Sequence, residues 1–256
     1  MLSLQAATTL SVALALGYLI VAAASLGLLW YLRTFATRLL VEPYRDRWRY
    51  LAVGVGAAAV YGVAGLVELA VSPAAEPFRR GAPLFFFLFC AVGVRGVHRS
   101  VAGGAGPNDR ERPLAPALVV ALVVAWWATY LFAAPAVVAA VEIAGLFAAT
   151  TFAIYHAVGT VRAAEGTSVA AVTRQFLPAL LALAVVAAAE HVGAVAPGAD
   201  AAGRGVALVA TALAGAFLFS TAVAVRQQGG EIERLYDQTT WRRTAGEGRS
   251  DRDLDD

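Results

Sequence analysis

The sequence predicts an all-α, polytopic membrane protein, a bundle of seven transmembrane helices. Of its 256 residues, 59% are hydrophobic and 15% are charged, and the mean hydropathy of +0.67 is too high for a soluble domain of this size. A hydrocarbon core of about 30 Å requires about 20 helical residues. Seven apolar segments approach or exceed that length: Thr8–Leu32, Leu51–Ser72, Pro83–Val97, Leu114–Ala133, Ala136–His156, Val172–Ala194 and Gly205–Val225.

Individual segments carry features typical of membrane helices. The first is expected to be retained as a helix, because it is longer than the apolar region of a signal peptide and no positive charge precedes it. The second contains Gly54, Gly62 and Gly65, which provide small surfaces for close helix packing. The third is marginal in length and reaches across the core only if Arg95 extends to the interface. Pro178 is expected to bend the sixth segment near its start.

The distribution of arginine predicts the orientation. All 20 basic residues are arginine, and 17 of them fall on one side of the predicted membrane: after the first, third and fifth segments and in the tail after the seventh. The other side has Arg79, Arg80 and Arg204. By the positive-inside rule the N-terminus lies outside and the C-terminus in the cytoplasm, which agrees with an odd number of spans.

Two regions follow from this topology. Residues 1–226 are expected to form the seven-helix transmembrane domain, and residues 227–256 a cytoplasmic tail with a short helix and a disordered acidic end. A tail of this length is too small for an independent domain. We therefore predict a multi-pass protein of the plasma membrane with no catalytic output module.

Segments one to three and five to seven share landmarks that suggest a three-plus-one-plus-three internal repeat. Tyr31 and Tyr155 end the first helix of each triplet, and Glu68 and Glu190 lie near the outer end of the second. Both triplets have the same orientation, as in the parallel repeats of some transporters. Chance similarity between sequences rich in Ala, Val and Leu is the alternative.

The seven-span plan with the N-terminus outside resembles that of the microbial rhodopsins and of the three-plus-one-plus-three sugar transporters. The resemblance concerns topology alone, and a shared topology does not establish a function. Retinal proteins hold their chromophore as a Schiff base on a lysine of the seventh helix, whereas this sequence contains no lysine. A retinal Schiff base is therefore excluded, and no cofactor is expected, although a metal ion stays open.

Glutamates within the apolar segments mark the candidate site. Glu68, Glu142 and Glu190, with His191, fall at a similar predicted depth toward the outer side. An ionised carboxylate at such a depth costs at least about 2.5 kcal/mol, so these groups usually face a bundle interior, a partner or a water-filled cavity. We expect them to form an outward-facing acidic cavity together with neighbouring aromatic side chains. The predicted ligand-binding residues are Glu68, Glu142, Glu190, His191, Tyr61, Tyr130 and Trp126.

Other interpretations stay open at this point. The three glutamates are equally compatible with separate interfacial positions, where their carboxylates hydrate by extending toward water. An intramembrane metal hydrolase is the enzymatic alternative, but the spaced His and Glu motif of such enzymes is missing from the sequence. The sequence therefore indicates a protein that is not an enzyme.

We predict a sensor or receptor-like protein that binds a small ligand, cation or proton outside and signals to a cytoplasmic partner through the tail. A transporter of small solutes or cations is the second hypothesis, and a structural membrane scaffold the third. The expected partners are the lipid bilayer and a protein at residues 227–256, and homo-oligomerisation stays open. Nucleic-acid binding is not expected, because the arginines are spread over several membrane-proximal segments.

Overall fold

The computed structural model describes residues 2–36, 42–103, 114–192, 196 and 198–250. Over these residues the chain is almost entirely helical, with seven α-helices: α1 (Leu2–Tyr31), α2 (Glu42–Ala70), α3 (Glu76–Val101), α4 (Leu114–Phe132), α5 (Pro135–Ala163), α6 (Ser168–Glu190) and α7 (Asp200–Ser250). A π-helical turn, Leu32–Ala36, extends α1, and a 3-10 helix, Pro73–Ala75, precedes α3. Helices are expected here because every backbone polar group in a bilayer must be paired within its own segment.

Six of these helices are long and apolar enough to cross a membrane: α1, α2, α3, α5, α6 and α7. In α4 the corresponding apolar stretch, Val119–Phe132, is shorter. The prediction of an all-α chain with several helices able to span a membrane is therefore confirmed, with six such helices, not seven, within the described part of the chain.

The predicted start of the third segment at Pro83 was wrong. Helix α3 begins seven residues earlier, at Glu76, with a proline in its first turn where the missing N–H costs nothing. The side chain of Ser72 accepts a hydrogen bond from the N–H of Ala74 at 3.2 Å and so caps the 3-10 helix that leads into α3. Because of this early start, Arg79 and Arg80 belong to the helix and not to a loop.

Six helices form a closed ring, and α4 lies outside it. Helix α1 packs on α2 and α7, α2 on α3, α3 on α5, α5 on α6, and α6 on α7, while α4 lies against α3 and α5. Buried side chains from the ring fill the interior, among them Val21, Leu28, Val55, Phe86, Phe87, Leu180 and Leu218. Large apolar side chains also cover the outside of the bundle, where Phe147 is 75% exposed, as expected for a surface that faces lipid.

Close approach of α1 and α2 depends on glycine. A Cβ atom at Gly62 would lie 2.6 Å from the carbonyl oxygen of Tyr18, and one at Gly65 would lie 2.7 Å from the Tyr18 ring. The predicted small-residue surface of α2 is thus used at these two positions. It brings the rings of Tyr18 and Tyr61 within 5.4 Å, in an edge-to-face contact.

Helix α7 is longer than the seventh predicted segment. It continues without a break from Asp200 to Ser250, 51 residues, whereas the apolar part ends at Gly229. The short tail helix expected after residue 227 is therefore part of one continuous helix. The end of the predicted acidic terminus, residues 251–256, lies outside the described residues.

Candidate functional site

Ionisable side chains from four elements meet at one end of the bundle, which we call the acidic end. It comprises the C-terminal ends of α2 and α6 and the N-terminal ends of α3 and α5. The charged groups are Glu68, Glu76, Glu142 and Glu190, the two arginines Arg79 and Arg80, and His191. Four carboxylates thus face two guanidinium groups and one imidazole.

Arg79 joins two of the predicted glutamates. Its Nε donates to Oε2 of Glu68 at 2.5 Å, and its Nη1 donates to Oε1 of Glu190 at 2.8 Å. The hydroxyl of Tyr61, which is 1% exposed, donates to the same Glu190 oxygen at 3.0 Å. Helices α2, α3 and α6 are therefore connected by one guanidinium group between two carboxylates, a charge-assisted arrangement that is stronger than neutral hydrogen bonds.

Arg80, the next residue of α3, reaches in a different direction. Its Nη2 donates to Oε2 of Glu142 on α5 at 2.7 Å, and its Nη1 lies 3.5 Å from Glu76 on its own helix. Consecutive residues of a helix point about 100° apart. As a result, one turn of α3 pairs with α2 and α6 through Arg79 and with α5 through Arg80.

Glu142 is the most enclosed ionisable group of the site. Its side chain is 0% exposed, and its Oε2 contacts both Arg80 and Nε2 of His191, the latter at 3.0 Å. Its Oε1 is buried and has no hydrogen-bond partner among the described residues. A buried carboxylate is costly unless its charge is paired, so the stability of this arrangement depends on the contacts of Oε2 with Arg80 and His191.

His191 lies directly after α6 and is held by the backbone of that helix. Its Nδ1 lies 2.8 Å from the carbonyl oxygen of Ala187, one turn earlier. Because a carbonyl oxygen only accepts hydrogen bonds, Nδ1 carries a hydrogen. The other ring nitrogen, Nε2, is thereby directed at Glu142.

The two predicted aromatic residues of α4 lie beside this network without a hydrogen bond to it among the described contacts. Trp126 is 2% exposed and stacks on Tyr130 with ring centroids 5.4 Å apart. A Cβ atom at Gly81 would lie 2.6 Å from the Trp126 ring, so the indole packs closely on α3 next to Arg80. The Nε1 of Trp126 is buried and has no partner in the described part of the chain.

The structure thus brings the predicted residues Glu68, Glu142, Glu190, His191 and Tyr61 to the acidic end, in two neighbouring ion-pair clusters built on Arg79 and Arg80. Trp126 and Tyr130 lie beside the Arg80 cluster. Together the two clusters are called the network below. Sequence reasoning missed the role of Arg79 and Arg80, which it treated only as orientation markers. A usable signal was present, because two adjacent cations lay on the same predicted side as three membrane-embedded carboxylates, and such groups rarely stay unpaired.

Neither of the two cavities described is lined by a charged residue of the acidic end. An apolar groove of about 660 Å³ runs along the outside of α2, between Leu26 of α1 and Phe78 of α3. A much smaller enclosed space of about 30 Å³ lies toward the opposite end, between Trp48, Leu51, Val94 and Phe176. No set of three or more His, Cys, Asp and Glu side chains in the described part is arranged to hold a metal ion.

A second pair of ionisable rings lies at the opposite end of the bundle. The rings of His98 on α3 and His156 on α5 have centroids 5.4 Å apart, and His98 packs against Gly159, where a Cβ atom would lie 2.6 Å from the ring. Arg95 lies 5.8 Å from the centre of the Phe152 ring beside them. The pair is therefore separated from the acidic end along the length of α3.

No known family model, curated protein or solved structure matches the chain. The resemblance to microbial rhodopsins and sugar transporters thus concerns the arrangement of predicted spans alone.

Proposed function

We propose that the protein is a plasma-membrane sensor whose acidic end receives the signal and whose seventh helix transmits it to a cytoplasmic partner. The observation that carries the proposal is the fully buried Glu142, paired through one oxygen with Arg80 and His191. A buried ionic network is weak evidence for stability, because its desolvation cost rivals its Coulomb energy. Charged groups inside a membrane bundle are by default a functional site.

The network is suited to respond to a small ion or ligand, because only a few ion pairs connect α3 to its three neighbours α2, α5 and α6. Protonation of Glu142 or Glu190 would remove its negative charge, leave an arginine without its ionic partner and change how α3 contacts α5 or α6. Because these pairs are only partly exposed, such a change amounts to about 1–3 kcal/mol. That is sufficient to shift a two-state equilibrium between helix arrangements.

Helix α7 supplies a route for the output. Its N-terminal end packs near α6, where a Cβ atom at Gly203 would lie 3.0 Å from the carbonyl oxygen of Ala189. Farther along, the Thr221 hydroxyl donates to the backbone oxygen of Gln175 on α6 at 3.0 Å. The helix then continues 21 residues beyond Gly229, or about 30 Å at 1.5 Å per residue. A displacement of α6 would reach the cytoplasm through this continuous helix.

The finer topology belongs to the same proposal. We take α4 as a seventh span outside the ring, with the N-terminus outside, because the arginine bias requires an odd number of crossings. The order of contacts supports the internal repeat, since exchanging the triplets α1–α3 and α5–α7 exchanges the α1–α7 contact with the α5–α3 contact. Under that exchange Glu68 and Glu190 are equivalent residues, and both bind Arg79.

Two measurements, of helix movement and of solute flux, distinguish the proposed sensor from a transporter. A spin label at Gln227, in a Cys90→Ala background, should change its mobility when Arg79→Gln breaks the network. Glu76→Gln is the matched control at the same end. This carboxylate is 44% exposed, and its contact with Arg80 is weak because the two groups are 3.5 Å apart at their closest. In proteoliposomes no flux of protons, sodium ions or sugars above the lipid background is expected.

Flux that Glu142→Gln abolishes would instead favour the transporter hypothesis. An unchanged label in Arg79→Gln, with the protein still folded, would contradict transmission through α7.

A further inference from the structure

We propose that the contact between His191 and Glu142 is a proton-binding site, in which one shared proton holds the end of α6 against α5. The inference rests on the proposed sensor function, since it names the signal received at the acidic end. It is carried by the geometry of the two side chains and by the charge balance around them.

The hydrogen bonds of His191 require a proton between the two residues. Its Nδ1 hydrogen is already directed at the Ala187 carbonyl, 2.8 Å away. In a neutral imidazole with that tautomer Nε2 carries a lone pair, and it lies 3.0 Å from Oε2 of Glu142. Two lone pairs at that distance repel, so the contact is attractive only with a proton on Nε2 or on Oε2.

The proton belongs to the pair. An imidazolium beside a carboxylate and a neutral imidazole beside a carboxylic acid contain the same number of protons, and both keep the hydrogen bond. Arg80 donates to the same Oε2 at 2.7 Å and favours the ionised carboxylate, which directs the proton to the imidazole. Release of the proton to solvent leaves Nε2 and Oε2 facing each other without a hydrogen.

The surrounding charges favour uptake of this proton. The groups around the pair are Arg80 and Glu76 from α3, Tyr130 from α4, and Glu190 beside His191 on α6, with Arg79, Tyr61 and Tyr18 around Glu190. Arg204 lies on the first turn of α7. With a neutral imidazole, four carboxylates exceed the two arginines of the network by two negative charges, and the proton halves that excess.

The mechanical consequence concerns α5 and α6. With the proton present, Glu142 of α5 is bonded to the end of α6 through His191 and to α3 through Arg80. Without it, the Arg80 bond to Glu142 persists while the direct bond between α5 and α6 is replaced by repulsion. The end of α6 is then retained by Arg79 through Glu190, so α6 is expected to move relative to α5 and not relative to α3.

The test measures the distance between α5 and α6 as a function of pH. Spin labels at Val137 on α5 and Val185 on α6, which are 49% and 46% exposed, report that distance in lipid nanodiscs. We expect the protein with its own His191 to shift to longer distances between about pH 5 and about pH 9, the range in which histidine changes charge. His98→Gln with His156→Gln is the control, and this background should keep the shift.

His191→Gln distinguishes a proton site from a merely structural contact. The glutamine amide always presents a donor, so it imitates the protonated imidazole at every pH. We expect this variant to keep the short distance across the whole range and to lose the pH dependence. Nuclear magnetic resonance of the His98→Gln, His156→Gln protein, in which His191 is the single histidine, should show its ring titrating together with the distance change.

Each possible result either supports or contradicts the proton site. A distance that stays constant while His191 titrates would overturn it, and so would a pH response that persists unchanged in His191→Gln. If the α5–α6 distance responds to pH but a label at Gln227 does not, the proton site stands and the sensor function fails. If Gln227 responds to Arg79→Gln but not to pH, the sensor function stands and the proton is not its signal.

Discussion

The Nη1 of Arg79, in the first turn of α3, lies 2.8 Å from Oε1 of Glu190, the last residue of α6. Both side chains are largely enclosed, with 17% and 14% of their surface exposed. The pair is therefore a direct ionic connection between two helices at a depth where water screens it only in part. Most of the expected responses of the acidic end follow from it.

Replacing Arg79 by glutamine should destabilise the bundle, because Glu68 and Glu190 would then face each other without their shared counter-ion. Since the site is partly exposed, we expect a loss of about 1–3 kcal/mol, below the 3–5 kcal/mol typical of fully buried pairs. The free energy of unfolding in bicelles measures the effect. Adding Glu68→Gln and Glu190→Gln should recover part of the loss, and a triple variant no more stable than Arg79→Gln would contradict the pairing.

Tyr61→Phe should remove one donor from Glu190 and leave the ring contact with Tyr18 intact. A hydrogen bond to a charged group contributes about 1.5–3 kcal/mol, so we expect a loss in that range. Tyr155→Phe is the matched control, because its ring is 71% exposed and should change stability by less than about 0.5 kcal/mol. Equal effects of the two substitutions in thermal unfolding would show that the Tyr61 hydroxyl is not bound to Glu190.

Gly62→Ala should separate α1 from α2, because the added Cβ atom would lie 2.6 Å from the Tyr18 carbonyl oxygen and 2.9 Å from the Ala22 side chain. Backbone cannot yield as a flexible side chain does, so we expect a cost of about 1–3 kcal/mol. Gly56→Ala on the same helix is the control, since nothing lies within 4 Å of its added Cβ atom. That control should be neutral or slightly stabilising because alanine favours the helix.

Topology is tested with cysteines at Ser3 and Ser250, introduced one at a time. Seven spans place these positions on opposite sides, so an impermeant thiol reagent should label the Ser3 variant in intact cells and the Ser250 variant only after lysis. The native Cys90 is buried and should not react. Labelling of both variants from the same side would show an even number of spans and contradict the seven-span topology.

The sequence alone was sufficient for the helical class of the protein and for identifying the three glutamates that the structure brings to one end of the bundle. Hydropathy and length identify spans because a bilayer imposes the same requirement on every helix, whatever its neighbours. The similar depth of Glu68, Glu142 and Glu190 also follows from counting residues along each helix. Those features are local, and they reappear in the structure with shifted boundaries, as at the start of α3.

Only the tertiary structure decided which charges pair and where α4 lies. Arg80 and Glu142 are 62 residues apart, and Tyr61 and Glu190 are 129 apart. Whether such groups meet depends on the rotation of each helix about its axis and on the order of helices in the ring, which are set by packing at positions such as Gly62 and Gly81. Hydropathy carries no information on either, because every face of these helices is apolar enough for lipid or for core.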